Sequence, residues 1–111
     1  MAAGGKTTVD FGAFPGKTDA TVAVTGQTGI LAGSLVEAWI VPDATADHSA
    51  DEHWVDPPMV FAGNIVAGTG FTIYGVLALK SDAKPVSDSQ RIRNVDTPMI
   101  YGQWTVAWVW V

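Results

Sequence analysis

The chain has 111 residues, 48% hydrophobic and 15% charged, with 11 acidic against 6 basic side chains and a formal net charge of −5. A domain of this size buries roughly 60 to 70% of its unfolded surface, so one core suffices without staples, and the apolar content excludes disorder. With no cysteine, disulfides, thiolate nucleophiles and cysteine-ligated metals are excluded, and the acidic balance argues against nucleic acid as a partner.

Met1 to Lys6 is small, Gly-rich and without an apolar signal core, which suggests an unprocessed chain with residues 1 to 6 as a possible N-terminal arm. In the connection from Asp10 to Asp19, Phe11 and Phe14 are aromatic anchors around a Pro15-Gly16 turn. Ala20 to Thr25 alternates with a period of two and meets Gly26, which predicts a strand. Leu35 to Val41 is a second, with Val36, Ala38 and Ile40 on one face and Leu35, Glu37, Trp39 and Val41 on the other, ending at Pro42.

Pro42 to Pro58 is a long acidic connection. Ser49-Ala50-Asp51-Glu52 fits the capping-box pattern, so a short helix is expected near residues 50 to 55, before Pro57. Met59 to Ala67 and Phe71 to Leu79 flank Gly68-Thr69-Gly70 and read as a hairpin, with Gly75 marking a bulge or a close backbone approach. Ser81 to Pro98 is polar and, with Lys80, holds four of the six basic residues; Arg91-Ile92-Arg93 within it suggests a short exposed strand. Ile100 to Val111 closes the chain, with Ile100, Trp104, Val106, Trp108 and Trp110 on one face.

Six or seven short strands and little helix predict an all-β single domain over residues 1 to 111. An antiparallel β-sandwich is favoured, with a small β-barrel as the alternative. No apolar stretch approaches the ~20 residues of a membrane span, so no membrane partner is expected.

The densest polar group is Asp43, Asp47, His48, Asp51, Glu52, His53 and Asp56. Imidazole with carboxylate suits a divalent metal, which makes His48, His53, Asp47 and Asp51 weak metal candidates. Five residues apart, the two histidines diverge by about 140° on a helix, unlike the four-residue spacing of a helical zinc pair. The preferred reading is a structural loop that binds no metal or other cofactor, with His and Asp side chains capping helix ends. No serine sits in a nucleophile turn, and Gly4-Gly5-Lys6-Thr7 lacks the strand and upstream glycine of a phosphate-binding loop. No catalytic residue is therefore assigned. The tryptophans read as core packing at about two to one over an aromatic platform. Interface candidates are Trp54, Trp104, Trp108, Trp110, Arg91 and Arg93. If both faces of the last strand are as apolar as they read, self-association would cover the second.

Several blocks look familiar: Thr8-Val9-Asp10-Phe11-Gly12-Ala13-Phe14-Pro15-Gly16, Glu37-Ala38-Trp39-Ile40, Asp47-His48-Ser49-Ala50-Asp51-Glu52-His53, Gly70-Phe71-Thr72-Ile73-Tyr74 and Tyr101-Gly102-Gln103-Trp104-Thr105-Val106-Ala107-Trp108-Val109-Trp110. In content and order they resemble a group of small virion-associated β proteins of tailed bacteriophages and prophages. The resemblance spans nearly the whole chain and departs most at Ser81 to Pro98. It implies a phage origin, manufacture in the host bacterial cytoplasm, a place in the virion, and no enzyme. The expected function is that of a capsid decoration or cement protein partnered by the major capsid protein or other virion proteins, as a homo-oligomer with a trimer favoured. A tail-associated, adhesin-like module that binds a host glycan or surface protein is the alternative.

Overall fold

The computed structural model describes residues 2–55, 57–77 and 99–111. Its elements in chain order are β1 (Ala3–Asp10), β2 (Asp19–Val24), β3 (Val36–Ile40), α1 (Glu52–Val55), β4 (Met59–Val66), β5 (Gly70–Val76) and β6 (Gln103–Trp110). The strands form two antiparallel three-stranded sheets, ordered β1-β6-β3 and β2-β5-β4. The all-β expectation is met. Beyond the ladders, β1 approaches β2 and β3 approaches β4.

Alternation dictates what each strand buries. Ala20, Val22 and Val24 of β2, Val60 and Ala62 of β4, and Phe71 and Ile73 of β5 turn inward to meet Trp104, Val106, Trp108 and Trp110 of β6. Phe11 and Ile30, both fully buried, fill the core from connecting segments. Gly75 marks a close approach, as expected: a Cβ there would lie 2.9 Å from Phe11 Cζ and 3.3 Å from Val9 Cγ2. The bulge lies instead in β4, where the register with β5 shifts between Gly63 and Val66 around Asn64, whose φ is +53°. The β4–β5 hairpin turns across Ala67-Gly68-Thr69.

The described part of the possible N-terminal arm runs as a strand from Ala3 onward. Ala3 to Lys6 belong to β1 and pair with Trp110 through Ala107 of β6. The stretch has no apolar alternation, and its order comes from the ladder and from Gly5, where a Cβ would lie 2.9 Å from Trp108 Cζ2. The Trp108 indole occupies the space a side chain would need. Among the described residues no helix is long and apolar enough to cross a membrane. The expected Arg91-Ile92-Arg93 strand and the interface candidates Arg91 and Arg93 lie outside the described residues.

Candidate interaction surface

The segment after β3 is a strap laid along β6. Pro42 ends β3; Val41 donates to the Thr105 carbonyl at 3.1 Å, and its own carbonyl then accepts from Asp43 N at 2.8 Å. The place where β3 would have supplied the next acceptor is taken by His53, whose Nε2 accepts from Thr105 N at 3.0 Å. Its Nδ1–H donates to the Ser49 carbonyl at 2.7 Å. Both bonds fix one neutral tautomer and use both ring nitrogens of a side chain that is 1% exposed.

The rest of the strap is tied down in the same way. Thr105 Oγ1 donates to the Asp43 carbonyl at 2.9 Å, Thr45 Oγ1 donates to the Gln103 carbonyl at 2.8 Å, and Asp47 Oδ2 accepts from Gln103 N at 2.8 Å. His48, also buried, donates through Nε2 to the Tyr101 carbonyl at 2.6 Å. Its ring stacks on Trp104 with centroids 3.9 Å apart. The Trp104 indole donates to the same Tyr101 carbonyl at 3.2 Å. The expected capping box is present: Ser49 N donates to Glu52 Oε1 at 2.7 Å and Glu52 N to Ser49 Oγ at 3.3 Å.

Of the four metal candidates, His53 is fully engaged with backbone groups, Asp47 caps Gln103 N and Asp51 is exposed. The His48 and His53 rings stand 6.4 Å apart, nearly perpendicular. Among the described residues no three His, Asp or Glu side chains are grouped to hold a metal ion. His48, the fourth, gives Nε2 to the Tyr101 carbonyl, so that three of the four candidates hold the strap in place.

The tryptophans divide. Trp104, Trp108 and Trp110 are buried, and the Trp110 indole donates to Gln27 Oε1 at 2.9 Å. These three are therefore corrected from interface candidates to core, because β6 is the central strand of its sheet and turns them toward the opposite layer. The second face of β6 is not bare: Thr105 and Ala107 are buried, Gln103 and Val109 are half-buried, and the strap bonds to Thr105. That removes the bare face as a reason for self-association. Trp54, on α1, remains exposed at 71%, and Trp39 is 44% exposed.

The surface that sequence reasoning missed is the outward face of β2-β5-β4. Cross-strand register places Thr21, Tyr74 and Phe61 in one row, Ala23, Thr72 and Gly63 in the next, and Asp19, Val76 and Met59 in a third. Phe61 is 51% exposed and Tyr74 37%. Eight of these nine residues are uncharged, in a chain of net charge −5, and Asp19 stands at a corner. The signal was present as alternation in β4 and β5, whose second faces carry Met59, Phe61, Thr72, Tyr74 and Val76 without one charge.

Compared with protein-family models, with curated proteins and with solved structures, the chain has no match.

Proposed function

We propose that this chain is a non-enzymatic structural protein of a bacteriophage virion, a decoration or cement protein that binds the assembled capsid and stabilises it. The observation that carries this reading is the outward face of β2-β5-β4, which exposes Phe61, Tyr74 and Met59 and carries one charge, Asp19, at a corner. Two further features support it. The polar side chains that looked most chemical, His53 and Asp47, are engaged in holding the strap to β6. The resemblance to small virion-associated phage proteins points to the same setting.

A decoration protein stabilises a shell by binding the assembled state in preference to its separated subunits, so its binding free energy adds to that of the lattice. The three-strand face covers about 14 Å by 17 Å at ordinary strand spacing and rise, well below the ~800 Å² per partner of a stable two-protein interface. A single copy thus binds weakly through this face. A homo-oligomer, with a trimer favoured, would engage several lattice positions at once and convert weak contacts into avidity. The partner is the major capsid protein or a neighbouring virion protein.

The alternative is a tail-associated adhesin that recognises a host glycan or surface protein, favoured by one observation: Trp54 projects from a strap held rigidly to β6. Copy number in purified virions, by quantitative mass spectrometry against the major capsid protein, separates the two. Hundreds of copies with capsid binding lost in Tyr74→Glu are expected. A few copies, with adsorption lost in Trp54→Ala, would replace the decoration reading by the adhesin one, and absence from the particle would overturn both.

A further inference from the structure

Among the described residues the two sheets present four edge strands, β1, β3, β2 and β4, and these are not equally guarded. Proteins blunt an edge with a short strand, a proline, a bulge or a charge. β3 is five residues long and stops before Pro42, β2 is six residues long and opens on the carboxylate of Asp19, and β4 is bulged around Asn64. β1 runs eight residues in unbroken register against β6, and it begins Ala3-Gly4-Gly5. It passes near β2 but shares no ladder with it. Its one cation, Lys6, is drawn back over its own sheet: Nζ bonds to Asp43 Oδ2 at 2.6 Å, and Asp43 is itself bonded through its carbonyl to Thr105 of β6.

The direction of the free backbone groups follows from β6. Val111 exchanges both of its bonds with Leu35, and the Thr105 carbonyl accepts from Val41 N. Odd-numbered residues of β6 therefore turn N–H and C=O toward β3, and Trp104, Val106, Trp108 and Trp110 turn theirs toward β1. In register these four meet Val9, Thr7, Gly5 and Ala3. The N–H and C=O groups of Gly4, Lys6, Thr8 and Asp10, all exposed residues, are left pointing out from the edge.

We propose that the free edge of β1 pairs antiparallel with the β1 edge of a second copy, about a twofold axis at Thr8, joining two β1-β6-β3 sheets into one of six strands. A twofold makes the edge complementary to itself, since each donor of one copy meets an acceptor of the other. Charge selects the register. Lys6 opposite Lys6 would repel, whereas Thr8 opposite Thr8 sets each Lys6 directly across from Asp10 of the second copy. Asp10 gives Oδ1 to Gly12 N at 2.8 Å, which leaves Oδ2 for that lysine. Lys6, Thr8 and Asp10 of both copies then supply about six main-chain hydrogen bonds. The axis stands perpendicular to the joined sheet, so the outward faces of both β2-β5-β4 sheets point to the same side. Such a pair, in place of the trimer favoured above, would be the unit that docks.

The test is sedimentation velocity of the full chain over a concentration series with no capsid present, so its outcome is separate from that of the decoration reading. Expected are a reversible monomer–dimer equilibrium and slowed hydrogen exchange at Lys6 N and Thr8 N that is lost on dilution. Thr8→Pro removes a donor that faces away from β6, so the β1–β6 ladder and the tryptophan emission should be kept while the pair weakens at least about tenfold. Lys6→Glu sets like charges opposite each other and should weaken it by about tenfold, and Lys6→Glu combined with Asp10→Lys should recover it. A chain that stays monomeric up to about 1 mM would overturn the proposal. So would association that Thr8→Pro and Lys6→Glu leave unchanged, or a larger oligomer in which Lys6 N and Thr8 N exchange freely.

Discussion

Replacing His53 tests whether one side chain takes the place of a missing strand. In His53→Leu the volume is nearly kept, but Thr105 N loses its acceptor on the β3 side of β6, where Pro42 has already turned the chain away. An unsatisfied buried amide costs ~1 to 3 kcal/mol. The Ser49 carbonyl, on an exposed residue, turns to water at little cost. His53→Ala adds the cavity left by a side chain that is 1% exposed, a further ~2 kcal/mol or more. The expected order of stability in equilibrium urea unfolding is parent, then Leu lower by ~1 to 3 kcal/mol, then Ala lower by ~3 to 5 kcal/mol. Native-state hydrogen exchange locates the effect, because Thr105 N should lose protection beyond that of the β6 amides bonded to β1. A Leu variant within about 0.5 kcal/mol of the parent, with Thr105 protection unchanged, would refute the reasoning.

Gly75→Val puts a branched side chain against Phe11 and Val9, both fully buried and unable to retreat; a loss of ~2 kcal/mol or more is expected in the urea midpoint. Gly102→Ala places a Cβ 2.6 Å from Asp47 Cβ at a residue whose φ is +79°. The left-handed penalty of ~1 to 2 kcal/mol adds to the displaced Asp47 bond, so thermal unfolding should fall by several degrees. Removing residues 1 to 6 takes away the half of β1 that pairs with Ala107 to Trp110. It should lower stability by at least ~2 kcal/mol through exposed indole surface, read as a red shift of tryptophan emission; an unchanged midpoint would restore the arm reading.

What was legible in the sequence was local. The capping box Ser49-Ala50-Asp51-Glu52 closes over four residues, and its two bonds appear as expected. Period-two alternation located five of the six strands because each of those buries one apolar face. β1 escaped because Ala3-Gly4-Gly5-Lys6 has no apolar face to reveal; its strand character comes from β6, about a hundred residues away. The strap escaped for the same reason. Thr45 with Gln103, His53 with Thr105 and Asp43 with Thr105 join positions more than 50 residues apart, and no local pattern encodes which strand such a loop will lie on. Core against interface for the tryptophans was decided by sheet order: β6 is central, so Trp104, Trp108 and Trp110 are enclosed, while Trp39 on an edge strand is half exposed.

The same division bears on how a partner is held. Several charges of the strap are already spent inside the molecule: Asp47 on Gln103 N, Glu52 on Ser49 N, and Asp43 on Lys6. The outward face of β2-β5-β4 carries one carboxylate, Asp19, at a corner. Docking through that face would rest on apolar contact and shape, which salt does not screen. Raising ionic strength from about 0.1 to about 1 M shortens the screening length from about 10 to about 3 Å. Capsid affinity through the sheet face should then change by less than about twofold, whereas a contact made by the acidic strap should weaken by about tenfold or more. Binding isotherms on purified capsids at the two salt concentrations decide between them. A steep loss with salt would move the docking site from Tyr74 and Phe61 to the strap around Trp54.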